Sequence, residues 1–240
     1  MNNLAYQNKE EIIIGSNQPY LLPYIGYWQL MNLADTYVIS DSMQYIKKGY
    51  INRNSILLNN QAHRFSLEVI GVHEETLINE VTVGNNARKI VSTISHAYKK
   101  SPNFANVFPM IEEVLLNKEK NLARYIGNSI EVIANYLEMN TQFIYLSDLQ
   151  GETSLKSQDR TVDICKRVNA SRYVNAIGGQ HLYDKETFLA EGMDLSFLKT
   201  SEFEYKQYYN EFIPNLSIVD ILMFNSKETI KGMLEAYSLE

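Results

Sequence analysis

Two ionisable side chains in the first quarter of the chain have the type and the position for acid–base or anion chemistry. Asp41 directly follows an apolar run, Thr36–Ser40, and Arg53 comes twelve residues later. A carboxylate at the end of a strand could act as a general base, or hold an amine or a hydroxyl of a substrate. The guanidinium of Arg53 could hold a carboxylate or a phosphate through two parallel hydrogen bonds. The structural alternative is that Asp41 caps a turn and Arg53 is a surface cation.

Uncharged polar and aromatic side chains lie around these two residues in the sequence. The residues that we predict to orient a polar ring of the substrate are Asn17, Gln18, Tyr20, Gln44 and Asn52. The chain has 17 tyrosines, and Tyr20 is one of three that lie within eight positions of each other. Clustered tyrosines suit a pocket that stacks on a sugar or a base. The structural alternative is that each ring fills a half-buried position with its hydroxyl in water.

A second group follows a later apolar run, RYVNAIGG, which ends in Gly178 and Gly179. Two adjacent glycines let backbone amides approach a ligand closely, and an anion at the next helix start is one such ligand. We include Gly178, Gly179 and the nearby Tyr183 among the substrate-binding residues. The alternative is a plain strand-to-helix turn, because no dinucleotide or P-loop glycine fingerprint occurs in the chain.

Metal and thiol chemistry have little support in the sequence. The only cysteine, Cys165, lies inside a predicted helix, where a thiol is typically buried packing. The four histidines have no metal-ligand spacing, so we predict no metal site, and no cofactor is indicated.

The elements that would position these residues alternate between strands and helices. Apolar strand-like runs occur at Ile12–Gly15, Thr36–Ser40, Gln142–Ser147, Arg172–Gly179 and Leu195–Lys199, with helical patterns between most of them. This alternation predicts an α/β fold with a Rossmann-like, mostly parallel sheet. In such sheets ligands bind beside the carboxyl ends of the strands, which is where the polar groups occur.

Two departures interrupt this alternation. Apolar runs on either side of Asn59–Ala62 predict a β-hairpin excursion. Residues 84–140 have a longer hydrophobic period and predict a helical insertion. No linker of low complexity separates these parts, so we expect residues 1–240 to form a single α/β domain.

Composition limits the classes of partner. The formal net charge is −6, whereas a protein that binds duplex nucleic acid normally has a strongly basic surface, so we expect no nucleic-acid partner. The start MNNLAYQNKEE lacks the features of a signal peptide, and no apolar run is long enough to span a membrane. We therefore expect a cytoplasmic protein without a membrane span.

The segment QPYLLPYIGYWQLMNLADTYVISDSMQYIKKGYINRN resembles the opening of the WbqC-like family. The matching positions are Gln18, Pro19, Leu22, Pro23, Tyr24, Gly26, Tyr27, Trp28, Asp35, Tyr37, Val38, Asp41, Gln44, Tyr45, Asn52 and Arg53. The segments RYVNAIGGQHLYD and FIPNLSIVDILMFNS are similar to later parts of the family pattern. The chain has Tyr50–Ile51 where the family often has Trp, and NNARKIVSTIS lacks another common Trp. These departures do not affect the predicted architecture, but the substrate of this chain could differ from that of other family members.

The resemblance implies a role in bacterial surface-polysaccharide (O-antigen) or amino-sugar biosynthesis. The implied activity is transfer of an acyl or aminoacyl group to an amino sugar. The partners would then be a sugar or nucleotide-sugar substrate and an acyl donor, which could be a carrier protein. The alternative is a non-catalytic binding or scaffold protein of a polysaccharide assembly complex, which the tyrosine clusters and the lack of an evident nucleophile suit equally.

Overall fold

The structure is a computed structural model that describes residues 11–149, 151, 155, 157–209 and 211–240. The described chain is a mixed α/β fold, as predicted. Its first part contains strands β1 (Ile13–Asn17) and β2 (Thr36–Ile39) with helix α1 (Ile25–Leu33) between them. An excursion follows, with strands β3 (Arg53–Leu58), β4 (Gln61–Ser66), β5 (Val69–Ile70) and β6 (Thr82–Val83), and then helices α2 (Ala87–Tyr98), α3 (Phe104–Leu115) and α4 (Leu122–Tyr136).

The remainder of the chain returns to strand and helix alternation. Its elements are β7 (Gln142–Tyr145), α5 (Ser157–Arg167), β8 (Arg172–Ala176), α6 (Lys185–Ala190), β9 (Asp194–Thr200), α7 (Ile218–Phe224), α8 (Lys227–Leu234) and β10 (Tyr237–Leu239). The predicted strand Arg172–Gly179 is shorter than expected. It ends at Ala176, and a 3₁₀ turn, Ile177–Leu182, follows it.

The main sheet has six strands in the order β10-β9-β8-β1-β2-β7. All neighbouring pairs are parallel except β9 and β10, which are antiparallel. Numbered along the chain, the strand order is 3-2-1-4-5-6, which is that of the Rossmann fold. The direction in which strands are added reverses between β1 and β8. The carboxyl ends of these two strands therefore flank the crevice where such sheets bind ligands.

Alternate residues of the strands contribute to two apolar clusters, one on each face of the sheet. In β2, Tyr37 and Ile39 belong to the cluster that also contains residues of α1, α4, α7 and α8, whereas Val38 belongs to the other cluster. The second cluster includes Cys165 of α5 and Phe188 of α6. Helices thus cover both faces of the sheet, which explains why its central strands are continuously apolar in sequence.

The predicted hairpin is formed by β3 and β4, and its turn is tighter than expected. Asn59 and Asn60 connect the strands, and both have left-handed backbones, with φ of 52° and 59°. Two such residues make the type I′ turn that matches the twist of a hairpin, and asparagine tolerates this conformation well. Strand β6 has only two residues and is preceded by a 3₁₀ turn, Ile78–Glu80.

The helical segment between β6 and β7 ends in α4, which leads directly into β7 beside β2. A side chain at Gly127 of α4 would overlap the hydroxyl of Tyr145 in β7, so glycine permits this close packing. The helical insertion is therefore also the connection from β2 to its parallel neighbour. The single-domain organisation of residues 1–240 stays a prediction. None of the helices that the structure describes is both long enough and apolar enough to cross a lipid bilayer.

Candidate functional site

A cavity of about 890 Å³ opens at the carboxyl ends of β1 and β8, at the reversal point of the sheet. Strand-end residues that line it are Ser16, Asn17, Asn175 and Ala176. The volume lies within the range of roughly 300–1,000 Å³ that is common for small-molecule sites. The fold is a Rossmann-like α/β fold, and the cavity lies where such sheets place their ligands.

The lining of the cavity is mostly uncharged. Arg160 is the single charged side chain among the described lining residues, and no Asp, Glu, His, Cys or Lys is among them. The Nε of Arg160 donates to the carbonyl oxygen of Leu155 at 2.8 Å, and its Nη1 lies 3.0 Å from the sulfur of Met43. Amide, hydroxyl and tyrosine side chains account for just over half of the other lining residues, and the accessible lining as a whole is mostly apolar. Polar groups spaced among apolar faces suit a ligand such as a sugar.

Asn175 is the most informative polar residue in the lining. It is only 5% exposed, and its Oδ1 accepts a hydrogen bond from the backbone N–H of Ala176 at 2.8 Å. Its Nδ2 has no hydrogen-bond partner among the described residues. A side chain at Gly179 would come within 3.0 Å of this nitrogen, so the glycine keeps the space beside it open. An amide donor that is open to the cavity and has no partner among the described residues can bind an acceptor atom of a ligand or a water molecule.

Hydroxyl groups connect the ends of the central strands inside the cavity. The Oγ atoms of Ser16 and Ser40, at the ends of β1 and β2, are 2.7 Å apart. The hydroxyls of Tyr173 and Tyr183 are 3.3 Å apart, and that of Tyr173 lies 3.5 Å from the carbonyl oxygen of Ser16. Burial raises the pKa of Tyr173 well above its ordinary value, so its phenol stays neutral at physiological pH.

Tyrosine rings form a continuous wall from the mouth of the cavity to the core. Tyr50, which is 60% exposed, lies 5.7 Å from Tyr20 between ring centroids. Tyr20 contacts Tyr27 edge to face at 5.6 Å, and Tyr27 contacts the buried Tyr37 at 6.2 Å. Burial raises the pKa of Tyr20 above its ordinary value, so this ring is also uncharged. Rings arranged in this way can contact the apolar face of a sugar or a base.

The loop that carries Tyr20 is fixed by side chains outside the cavity. Leu22 has a left-handed backbone (φ 48°), which is uncommon for a residue other than glycine and unfavourable by about 1–3 kcal/mol. Its carbonyl oxygen accepts hydrogen bonds from Asn54 Nδ2 at 2.5 Å and from Ser217 Oγ at 2.8 Å. Asn54 also donates to the carbonyl of Leu21 at 3.2 Å. These bonds hold the strained loop, and with it the aromatic wall, in one conformation.

The structure brings six of the ten predicted site residues together in the cavity lining: Asn17, Gln18, Tyr20, Gly178, Gly179 and Tyr183. The other four, Asp41, Gln44, Asn52 and Arg53, are not among the lining residues. The sequence prediction did not include Asn175, Ser40 or Arg160. For Asn175 a signal was present, since it is the polar residue in the run Tyr173–Ala176, near the carboxyl end of β8.

Asp41 and Arg53 have different surroundings. Asp41 is fully buried, and its carboxylate accepts hydrogen bonds from the backbone N–H of Ser147 at 2.9 Å and from its Oγ at 2.5 Å. Arg53 begins β3, and its Nε is buried and makes no hydrogen bond with the described residues. The structural role of Asp41 is visible in these bonds, whereas the catalytic roles of both residues stay predictions.

Asn52 and Gln44 take part in bonds that hold the excursion to the rest of the fold. The Oδ1 of Asn52 accepts from the Tyr45 hydroxyl at 2.9 Å, and its Nδ2 donates to the carbonyl of Leu67 at 2.6 Å. The carbonyl oxygen of Gln44 accepts from the side chain of Gln18 at 3.4 Å. Direct contact of either side chain with a substrate stays a prediction.

A second buried polar cluster lies outside this cavity, around Asp220 of α7. The carboxylate is fully buried and accepts hydrogen bonds from the hydroxyls of Tyr98 and Tyr205, each at 2.6 Å, and from Gln207 at 2.8 Å. Burial raises the pKa of Asp220 above its ordinary value, and the hydrogen bonds offset part of that rise. These hydrogen bonds connect α7 to α2 and to the segment that precedes α7.

The described residues include neither a cluster of metal ligands nor an accessible thiol. They contain no group of three or more His, Cys, Asp or Glu side chains arranged to hold a metal ion. Cys165 is fully buried, and burial raises the pKa of its thiol to about 12. A thiol in this state is a packing group and not a nucleophile.

Comparison with known proteins assigns the family. A model of the WbqC-like protein family matches residues 18–232, and the chain therefore belongs to this family. The chain is also 24% identical over 219 residues to "Uncharacterized protein Rv1507c" of Mycobacterium tuberculosis (strain ATCC 25618 / H37Rv), covering 89% of this chain and 93% of that protein. The resemblance predicted from the sequence is thus confirmed. Family membership suggests a role in polysaccharide or sugar biosynthesis.

Proposed function

We propose that this protein is a transferase that binds a free or nucleotide-linked amino sugar in the cavity and transfers an acyl or aminoacyl group to it. The observation that carries the proposal is the unpartnered amide of Asn175, which lies in a largely uncharged, tyrosine-lined cavity at the reversal point of the sheet. Neutral amides and phenols match the hydroxyls and ring faces of a sugar. The family context of polysaccharide biosynthesis, with O-antigen as the expected pathway and the cytoplasm as the expected location, agrees with this ligand.

The proposed reaction is acyl transfer from a thioester donor, for example one carried on a carrier protein. The amine nitrogen of the sugar attacks the carbonyl carbon of the donor, and a C–N bond forms as the C–S bond breaks. One amine proton leaves, and the departing thiolate takes up a proton. The sequence predicts that Asp41 accepts the amine proton and that Arg53 holds a phosphate or carboxylate of a substrate. Neither residue lines the cavity and Asp41 is fully buried, so both roles require the substrate to reach beyond the described lining.

A second candidate function is sugar binding without catalysis, within a polysaccharide assembly complex. The observation that favours it is the absence of Asp, Glu, His, Cys and Lys from the described lining residues. Both candidates share the same ligand and the same cavity, so one binding experiment tests their common part and one transfer experiment separates them.

The binding experiment is a thermal-shift and calorimetric screen with amino sugars and nucleotide-linked amino sugars. We expect one class of sugar to raise the melting midpoint of the parent and to bind at least about tenfold more weakly to Asn175→Ala, which corresponds to about 1.4 kcal/mol. Asn175→Asp keeps the acceptor for Ala176 but replaces the donor with a negatively charged acceptor oxygen, so it should lose affinity as well. Asn106→Ala, on the exposed side of α3, is the matched control and should bind like the parent. Equal affinity in all four proteins would refute the site.

The transfer experiment incubates the bound sugar with acyl and aminoacyl thioesters and follows the sugar by mass spectrometry. A gain equal to the acyl group in the parent, and no gain in Asn175→Ala, supports the transferase. Sugar binding without any gain in mass across the donor panel supports the non-catalytic alternative.

A further inference from the structure

The mouth of the cavity is unusually apolar for a solvent-exposed surface. Eight large hydrophobic side chains are exposed in the described chain, and three of them line this one cavity. They are Ile46 (54% exposed), Tyr50 (60%) and Leu182 (55%), and we call these three residues the rim. Single exposed apolar residues are ordinary, but a group of them around a pocket indicates a surface that binds something apolar.

Two lysines lie in the tight turn between Ile46 and Tyr50. The turn is closed by a hydrogen bond from the Gly49 N–H to the Ile46 carbonyl at 3.1 Å, and Lys48 has a left-handed backbone with φ of 63°. Lys47 and Lys48 are both exposed and form no ion pair with the described residues. In a chain with a net charge of −6, this pair gives the mouth a local positive charge.

From this arrangement we propose that the substrate is a sugar joined through phosphate to an apolar chain. The sugar occupies the cavity, the phosphate lies at Lys47 and Lys48, and the apolar chain covers the rim. This inference rests on the proposed function, because it names the group that carries the sugar. Apolar side chains on either side of two cations are complementary to an amphiphile of this kind, whose charge and chain are directly joined.

The size of the rim favours a single amphiphile over a larger partner. A stable protein–protein interface needs about 800 Å² from each partner. Three side chains around a pocket expose much less area than this. Anchoring to a bilayer generally uses an amphipathic helix or an attached lipid, whereas the rim is a turn and a 3₁₀ turn.

The test uses decyl phosphate below its micellar concentration as the probe, with binding measured by calorimetry. Inorganic phosphate and decyl tetraethylene glycol ether are the comparison ligands, because each has only one of the two features and neither carries a sugar. We expect decyl phosphate to bind at least about tenfold more tightly than either comparison ligand, and Lys47→Gln/Lys48→Gln and Leu182→Ser each to weaken it at least about fivefold. Asn175→Ala should bind decyl phosphate like the parent, because this probe has no sugar.

Matched control variants exist elsewhere on the surface. Lys99→Gln/Lys100→Gln removes another exposed lysine pair, at the end of α2, and Leu189→Ser removes a leucine that is 68% exposed. Neither should change decyl phosphate binding. Equal binding by decyl tetraethylene glycol ether, or equal losses in the controls, would overturn the inference.

Sedimentation with phosphatidylglycerol vesicles tests whether the rim and the two lysines bind a membrane surface instead of a single amphiphile. We expect the protein to stay in the supernatant. Co-sedimentation that the Lys47→Gln/Lys48→Gln variant abolishes would overturn the inference in favour of a membrane-surface site. Failure of decyl phosphate to bind, while amino sugars still bind in an Asn175-dependent manner, would reject the amphiphile and leave the proposed function standing.

Discussion

Asp41 and Ser147 join the ends of two neighbouring parallel strands through paired hydrogen bonds. The carboxylate of Asp41, one residue beyond Ser40 at the end of β2, accepts from both the backbone N–H and the Oγ of Ser147, just after β7. Because Asp41 is fully buried, no water replaces a lost bond. This contact holds the end of β2 to the end of β7, beside the cavity.

We predict that Asp41→Asn lowers the free energy of unfolding by about 1–3 kcal/mol, because the amide cannot accept both donors as the carboxylate does. Urea unfolding of Asp41→Asn, Ser147→Ala and the double variant measures this loss and the coupling between the two residues. A double variant whose loss equals the sum of the single losses would contradict the pairing. Assayed at a temperature where it is folded, Asp41→Asn should still bind sugar but lose transfer if Asp41 accepts the amine proton.

Asn54→Ala should weaken sugar binding although Asn54 is outside the cavity lining. Its amide holds the carbonyl groups of Leu21 and Leu22, and without it the left-handed backbone of Leu22 can relax and move Tyr20. We expect a loss of about 1–3 kcal/mol in stability and a severalfold loss in sugar affinity.

The matched control for this prediction is Asn103→Ala. Asn103 also donates to two backbone carbonyls, those of Leu222 at 3.2 Å and Asn225 at 2.6 Å, but it does not line the cavity. It should lose a similar amount of stability and keep the parent's affinity. Equal affinity losses in the two variants would show that general destabilisation, and not the loop, governs binding.

We expect Asp220 to make the folded protein less stable as the pH rises. A carboxylate in an ion pair has the opposite effect, since it makes a protein more stable as the pH rises. Burial raises its folded pKa above the ordinary value of 3.8. The protonated carboxyl therefore favours folding, and this contribution is present below pH 3.8 and lost as the pH rises through the folded pKa. We predict that the stability of the parent relative to Asp220→Asn falls from about pH 3.5 to pH 7. Urea unfolding of both proteins across this range tests it, and a difference that rises with pH would refute the assignment.

Cys165 should resist alkylation in the native protein. The thiol is fully buried and its pKa is about 12, so almost no thiolate exists at pH 8. Iodoacetamide treatment followed by intact mass measurement should show no adduct in buffer and one adduct in 6 M guanidinium chloride. A native adduct formed within minutes would contradict the buried position of α5 against the sheet.

Local sequence features predicted those parts of the fold that local rules determine. The continuous apolar runs identified the central strands, and Asn59 and Asn60 marked the hairpin turn, because burial on both faces and a left-handed turn each restrict the residue type directly. Strand β10 escaped prediction, since a three-residue edge strand without a buried residue has no periodic signal. Its position depends on pairing with β9, which is distant in sequence.

The polar residues of the site were harder to predict for the same reason. A polar side chain near a strand end can face a ligand or hold the backbone, and only the fold decides between them. Asn17 and Asn52 look alike in sequence, yet Asn17 lines the cavity and Asn52 bonds to Tyr45 and Leu67. Gln29 of α1 is a similar case, because it is fully buried and donates to the carbonyls of Met233 and Ala236.

The two sides of the cavity come from parts of the chain that are far apart. Ser16 and Tyr173, whose atoms meet at the reversal point of the sheet, are 157 positions apart in sequence. Contacts of such separation slow folding, because the long loop between them must be closed first. During synthesis at about 5–20 residues per second, the ribosome spends roughly eight to thirty seconds between the two residues. This crevice is therefore completed only after translation has passed β8.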